Sequence, residues 1–147
     1  MLALAALVVA FDQVTKTIVS GALGPGETVS LVLGAEIADV RNTGIAFGLF
    51  SDGQYLVLVV TIAALLLILA YFAHRASRPG LWIGVGLLIG GAVGNLVDRI
   101  TADEVIDFID PPLWPAFNGA DIAIVVGIAV LVLVHRPRPE PAPVDTG

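Results

Sequence analysis

Long apolar runs broken by short polar links dominate this chain, and four of the runs stand out. Leu2–Leu23 is apolar except at Asp12 and Lys16, Gln54–Ala73 carries no charge, Leu81–Val97 is rich in glycine, and Ala120–Val134 is short. Each has about 15–22 residues, near the length at which a helix crosses a hydrocarbon core. The pattern predicts an all-α membrane protein with four spanning helices, at about 2–23, 54–73, 81–97 and 120–134. For the short fourth span, Phe117–Gly119 or His135 is expected in the interface, or the bilayer thins there. The first run has no basic leader and meets Asp12 directly, so it reads as a retained span rather than a cleaved signal.

The links between the runs set the expected orientation. His74, Arg75 and Arg78 lie between the second and third spans, and Arg136 and Arg138 follow the fourth. Positive charge collects on the cytoplasmic side, which puts both termini there. The acidic links Gly24–Gly53 and Asp98–Gly119 then face outward. Within the first of them, Glu27–Leu33 and Glu36–Val40 are strand-like and joined at Gly34–Ala35, which predicts a small β-hairpin resting on the membrane within about residues 25–50. Ser51-x-x-Gln54 reads as a capping box at the start of the second span. Gly86, Gly90 and Gly94 share one face of the third span and would let a neighbouring helix approach closely. The whole of 1–135 is expected to form one membrane domain, and the proline-rich tail 136–147 to be disordered and cytoplasmic.

Composition sharpens this reading. The chain has 147 residues, 57% hydrophobic and 14% charged, with a mean hydropathy of +0.95. A soluble domain of this size has too much surface to hide that much apolar side chain. A net charge of −6 argues against nucleic-acid binding. Cysteine is absent, which removes disulfides, thiolate chemistry and cysteine metal sites. His74 and His135 are far apart in sequence and offer no metal-ligand cluster, so neither a metal nor another cofactor is expected.

The few ionisable residues inside or beside the spans carry the candidate chemistry. Asp12 and Lys16 are four apart in DQVTK and share a helix face, as an internal ion pair that braces the bundle or faces a polar cavity within it. Asn95, Asp98 and Arg99 fall in GGAVGNLVDRI, where Asp98 and Arg99 could form an interfacial charge pair while Asn95, a turn further in, needs partners. Asp107 lies in VIDFID, either as an exposed loop carboxylate or on backbone held against the membrane surface. Asp110, before Pro111-Pro112, reads as a turn residue. Asp121 lies in FNGADIAI, where Asn118 suits an N-cap and Asp121 a first-turn acid. Two aspartates near one membrane surface, each flanked by apolar residues, can share one proton. The ionised one can then activate water against a peptide carbonyl while the neutral one donates to the carbonyl oxygen.

Five motifs in order, DQVTK, RNTGIAF, GGAVGNLVDR, VIDFI and FNGADIAI, resemble those of bacterial lipoprotein signal peptidase, also called signal peptidase II. The resemblance covers the chain except its tail. It implies an intramembrane aspartyl endopeptidase that removes signal peptides from diacylglyceryl-modified prolipoproteins, cutting before the lipidated cysteine. By motif position the catalytic pair is Asp107 and Asp121, and Asp98 is not a member of it. Asp12, Lys16, Asn42, Gly91, Asn95, Asp98, Arg99 and Asn118 match positions that line or brace the family's site. The hairpin region resembles an extracytoplasmic β-cradle that would hold an extended substrate over the bilayer. The resemblance further implies a bacterial cytoplasmic (inner) membrane location, lipid and prolipoprotein as partners, no cofactor, cyclic peptide inhibitors of the globomycin type, and a chain able to work as a monomer.

This sequence departs from the family at Gly119, where many relatives carry a larger apolar residue. It also has Gly48 after Phe47 and a compact link holding Pro111, Pro112 and Pro115 between the two aspartates. Two readings from other classes compete: a small transporter using Asp12, Lys16 and Asp121 as a relay, and a structural subunit without chemistry. A transporter would show polar residues along several spans and often a repeat. Here the second span is charge-free, no repeat is visible, and the acids gather at one end.

Overall fold

The computed structural model describes residues 1–24, 27–43, 53–75 and 80–135. Ser51, the part of RNTGIAF beyond Thr43, Gly48, Arg78 and the tail from Arg136 lie outside these residues. In chain order the elements are α1 (Leu2–Ala22), β1 (Thr28–Ser30), a short 3-10 turn (Val32–Gly34), β2 (Glu36–Asn42), α2 (Gly53–Arg75), α3 (Leu81–Ala102), β3 (Val105–Asp110) and α4 (Gly119–His135). Among the described residues two helices, α1 and α3, are long and apolar enough to cross a membrane. The apolar stretches Val59–Ile68 of α2 and Gly119–Val134 of α4 are shorter.

Helix α3 is the hub. It packs against α4 and α1 on two faces and carries α2 on another. Glycines make this possible, because backbones can approach closely only where side chains are absent. Gly86, Gly90 and Gly94 face α1: a methyl group on Gly90 would lie 2.6 Å from Val8 Cβ and 2.9 Å from the Ala5 carbonyl, and one on Gly94 would meet Asp12 Oδ2 at 2.8 Å. Gly91 faces α4 instead, where a methyl group would collide with the Ala120 carbonyl oxygen and lie 2.8 Å from Ile124 Cγ1. Gly91→Ala is therefore expected to destabilise the fold by about 1–3 kcal/mol, the usual cost of overpacking, and to displace the first turn of α4. Thermal unfolding in detergent checks this against Gly21→Ala, where an added methyl meets nothing within 4 Å. Equal melting temperatures for the two variants would overturn the argument.

The exterior of the helices is apolar and the interior holds charge. Leu2, Phe11, Leu67 and Val125 are largely exposed, while Asp12 and Lys16 are 0% and 2% exposed. That is the inverse of a soluble protein, and it is the distribution a bilayer demands.

Two expectations need correction. The expected hairpin between the first two spans is present as β1 and β2, paired antiparallel, and a third strand from the link between α3 and α4 extends it to a three-stranded antiparallel sheet in the order β1-β2-β3. Asp110 accordingly closes β3 opposite Glu36 instead of forming a turn. The third helix, moreover, does not stop at Val97. It runs to Ala102, because Asp98 finds buried partners inside the bundle and so does not end the helix as a solvent-seeking charge would. Asp103 then turns the chain out of the helix in a left-handed conformation (φ 61°), which aspartate tolerates better than most residues.

Candidate active site

The site is assembled where the sheet meets the ends of α1 and α3 and the start of α4. The β2–β3 register places Val40 opposite Asp107 and Asn42 opposite Val105, with an irregularity in β2 between Ile37 and Val40. On the other side of β3 the chain folds back through its proline-containing link, and Phe117 pairs with Ile109: Phe117 N–H donates to the Ile109 carbonyl at 2.9 Å, and Ile109 N–H returns the bond at 2.9 Å. This return places Asn118 beside Asp107 and starts α4 immediately afterwards.

Asn118 then joins the two aspartates. Its Nδ2 donates to Asp107 Oδ1 at 2.7 Å, to Asn95 Oδ1 at 3.0 Å and to the Ile106 carbonyl at 3.3 Å. Its Oδ1 accepts the Asp121 N–H at 3.0 Å, and its own N–H donates to Asp121 Oδ2 at 3.2 Å. These last two bonds form a reciprocal cap of α4, so Asn118 and Asp121 do hold the N-cap and first-turn positions that their spacing predicts. Asn95 closes the ring from α3, donating its Nδ2 to Asp121 Oδ1 at 2.8 Å. Asn42 approaches from β2 and donates to Asp107 Oδ2 at 2.9 Å. Both carboxylates are thus fixed by asparagines from three places, β2, α3 and the N-cap of α4, and neither amide of the ring can rotate without losing a bond.

A second, wholly charged layer lies beneath. Lys16 Nζ is 2.6 Å from Asp12 Oδ2, 2.7 Å from Asp98 Oδ2 and 3.1 Å from Asn95 Oδ1. The predicted Asp12–Lys16 pair is therefore present but incomplete as first read, since Asp98 belongs to it. Asp98 turns toward Lys16 and Gln13, with Gln13 Nε2 donating to its Oδ1 at 2.7 Å, and the Asp98–Arg99 surface pair considered above is replaced by these contacts. Arg99 donates to the Asn95 carbonyl at 3.3 Å and feels the charges of Asp121, Asp107 and, more weakly, Asp98, so its electrostatic tie to Asp98 persists without a direct contact. Asp12 Oδ1 accepts the Ala120 N–H at 2.9 Å, so a residue of α1 completes the cap of α4 and favours its positive end. Gly91 supports the same point by letting α4 sit close to α3.

The ten residues singled out as candidates thus converge on one end of the bundle. Gln13 and the β2–β3 frame are the parts that sequence reasoning missed. A glutamine inside an apolar run is itself a signal of a buried partner, here Asp98. Burial pushes the Asp107 carboxyl above the usual carboxylate range, opposed by the hydrogen bonds from Asn42 and Asn118 and reinforced by the charge of Asp121. No cluster of metal-ligating residues exists among the described residues.

The bundle thus carries an amide-tethered pair of aspartates where a small sheet meets its apolar helices, the architecture of a membrane protein with a polar site, and comparison with known proteins gives the family. The sequence model described as signal peptidase (SPase) II matches residues 4–135. Lipoprotein signal peptidases from Halothermothrix orenii and Moorella thermoacetica are 34% and 39% identical, over 84% and 86% of this chain and 86% of each relative. One from Gloeobacter violaceus is 42% identical over 85% of this chain and 75% of its own. A solved structure described as a bacterial membrane enzyme, determined by the in meso method at 1.9 Å, superposes with a TM-score of 0.81 at 32% identity, covering 88% of both chains. The chain belongs to the signal peptidase II family and is a peptidase.

Proposed function

We propose that this protein cuts diacylglyceryl-modified prolipoproteins before the lipidated cysteine, with Asp107 and Asp121 as the catalytic pair. The observation that carries the assignment is the amide ring. Asn118 binds both carboxylates, at 2.7 and 3.2 Å, and Asn95 adds a bond to Asp121 at 2.8 Å. Asp12 and Asp98, the other close pair of acids, are neutralised by Lys16 between them, whereas Asp107 and Asp121 are held by neutral amides. Asp121, at the positive end of α4, is given the role of general base in this reading. It takes a proton from water as the oxygen attacks the scissile carbonyl. Asp107, buried and inclined to keep its proton, donates to the carbonyl oxygen as negative charge develops there. As the tetrahedral intermediate collapses and the C–N bond breaks, Asp121 gives the proton it took from water to the departing amine of the lipidated cysteine. Asp107 recovers its proton from the former carbonyl oxygen, leaving the new carboxyl group on the signal peptide.

In this reading all four helices span the bacterial cytoplasmic membrane, with both termini inside and the sheet on the outer surface as a cradle for extended substrate. The chain acts as a monomer, and cyclic peptides of the globomycin type would compete for the cradle. Purified protein in detergent, given a diacylglyceryl-modified prolipoprotein and its unmodified counterpart, tests the function. Mass spectrometry is expected to show cleavage of the modified substrate before its cysteine. Absence of that product, or equal cleavage of both substrates, would overturn the assignment.

The proton on Asp107 gives a pH dependence of known sign. Activity falls as pH rises through the raised pKa of Asp107, because the donor is then lost. Asn42 opposes that rise by binding the charged form. Asn42→Ala removes the opposition, so the alkaline limb of kcat/KM is expected to move to higher pH. A limb that stays in place or moves down would show that Asp107 is not the group being titrated.

A further inference from the structure

Between α1, the end of α3 and the sheet lies a cavity of about 370 Å³, lined in part by Lys16, Ser20, Gly21, Arg41, Asp98 and Glu104. We propose that it is a water-filled vestibule through which the hydrolytic water reaches the aspartate pair, by a path separate from the one taken by the lipid-anchored substrate. The proposal rests on the reading of Asp107 and Asp121 as the catalytic groups.

Three observations carry it. The first is the chemistry of the walls. Other grooves between the helices are lined by aliphatic residues, such as the one bordered by Val60, Leu65, Leu88 and Ile128. This cavity is rimmed by Arg41, which pairs with Asp39 at 2.6 Å and Glu104 at 3.1 Å, and the Arg41 side chain is 41% exposed. A charged rim of that kind sits in water rather than in hydrocarbon. At about 30 Å³ per molecule the space would hold roughly a dozen waters.

The second observation is at the floor. Asp98 is 6% exposed, and its Oδ2 makes an ion contact with Lys16 but accepts no aligned hydrogen bond among the described residues. Solvent does not reach that oxygen and Lys16 neutralises it at 2.7 Å, so the floor that the cavity meets is a charged pair rather than hydrocarbon.

The third is distance from the chemistry. The cavity wall includes Lys16 and Ile106. Lys16 donates to Asn95 at 3.1 Å, Asn95 donates to Asp121 at 2.8 Å, and Ile106 directly precedes Asp107 in β3. One layer of side chains therefore separates the cavity from the reacting carboxylates. Asp107 and Asn118 are themselves 3% and 0% exposed, and a peptide laid over them would shut out water from that side. Helix α2 packs against α3, and among the described residues none from α2 lines the cavity.

The chain contains no cysteine, so a single introduced thiol reports without background. Ser20→Cys places one in the cavity, and Val14→Cys places one on the outer apolar face of α1, where Val14 is 56% exposed. Both are treated in detergent micelles with a charged methanethiosulfonate reagent. Ser20→Cys is expected to react about tenfold faster or more, since only a thiolate in water is a good nucleophile. Its adduct is expected to lower kcat for prolipoprotein cleavage with KM unchanged. Equal labelling rates overturn the proposal, as does an adduct that leaves kcat intact or changes KM alone. If Ser20→Cys fails to accumulate, Gly21→Cys serves, because a side chain there meets no other atom within 4 Å. The labelling rate needs no catalysis, so it stands even if Asp107 and Asp121 prove not to be catalytic. An active enzyme with an unlabelled thiol would refute the vestibule alone.

Discussion

Asp107→Asn and Asp121→Asn are each expected to lower kcat for prolipoprotein cleavage by about 10²–10⁴-fold, the range typical of a lost general acid or base. The substitutions keep most of the frame. An asparagine at 107 can still accept the 2.7 Å bond from Asn118 Nδ2 through its own Oδ1, and one at 121 can still accept from Asn95. The new Nδ2, however, faces Asn42 Nδ2 or the Asn118 N–H, where the carboxylate had accepted. Losing one such bond costs about 1–3 kcal/mol, so melting temperatures in detergent should fall only modestly. The double variant should be little worse than either single one, because two groups that share one proton act as a unit. Near-normal turnover in either single variant would end the two-aspartate mechanism. A loss of activity accompanied by a large fall in melting temperature would instead assign that residue to structure.

How much of this could be read from the chain follows the range of each interaction. Local features were legible. Asp12 and Lys16 are four apart and pair as helix geometry requires, and Asn118-x-x-Asp121 caps α4 within one turn. Features that depend on how two helices are phased were not. Nothing within GNLVDR says that Asp98 faces Lys16 and Gln13. That follows only from the glycine face of α3 lying on α1. For the same reason the helix end was misjudged at Val97, since a charged residue marks a boundary only when it has no buried partner. Strand β3 was invisible because six residues with two aspartates carry a weak signal. Its pairing with β2 and Phe117 is what makes it a strand. The motif resemblance nevertheless pointed to both aspartates without any of these contacts, and the family comparisons agree with that resemblance.

The charged layer under the site leads to a second large effect. Lys16→Met leaves Asp12 and Asp98 buried at 0% and 6% exposure without their shared cation. Removing one partner of a buried ion pair costs about 3–5 kcal/mol, because the remaining charge is stranded in a medium that cannot solvate it. The damage should not stop there. Asn95 Oδ1 loses its bond from Lys16, and Asp12, which caps α4 through the Ala120 N–H, is repelled by Asp98 at close range. Both effects loosen the first turn of α4, which carries Asp121. Lys16→Met is therefore expected to melt well below the parent in detergent and to lose activity in whatever fraction remains folded. A compensated variant separates charge from packing. Lys16→Met combined with Asp12→Asn and Asp98→Asn no longer buries an unpaired charge, while an asparagine at 12 can still accept the Ala120 N–H through Oδ1. That triple variant should recover much of the lost stability. If it melts as low as Lys16→Met alone, the lysine matters for its shape and hydrogen bonds rather than for neutralising the two carboxylates, and the charge argument fails.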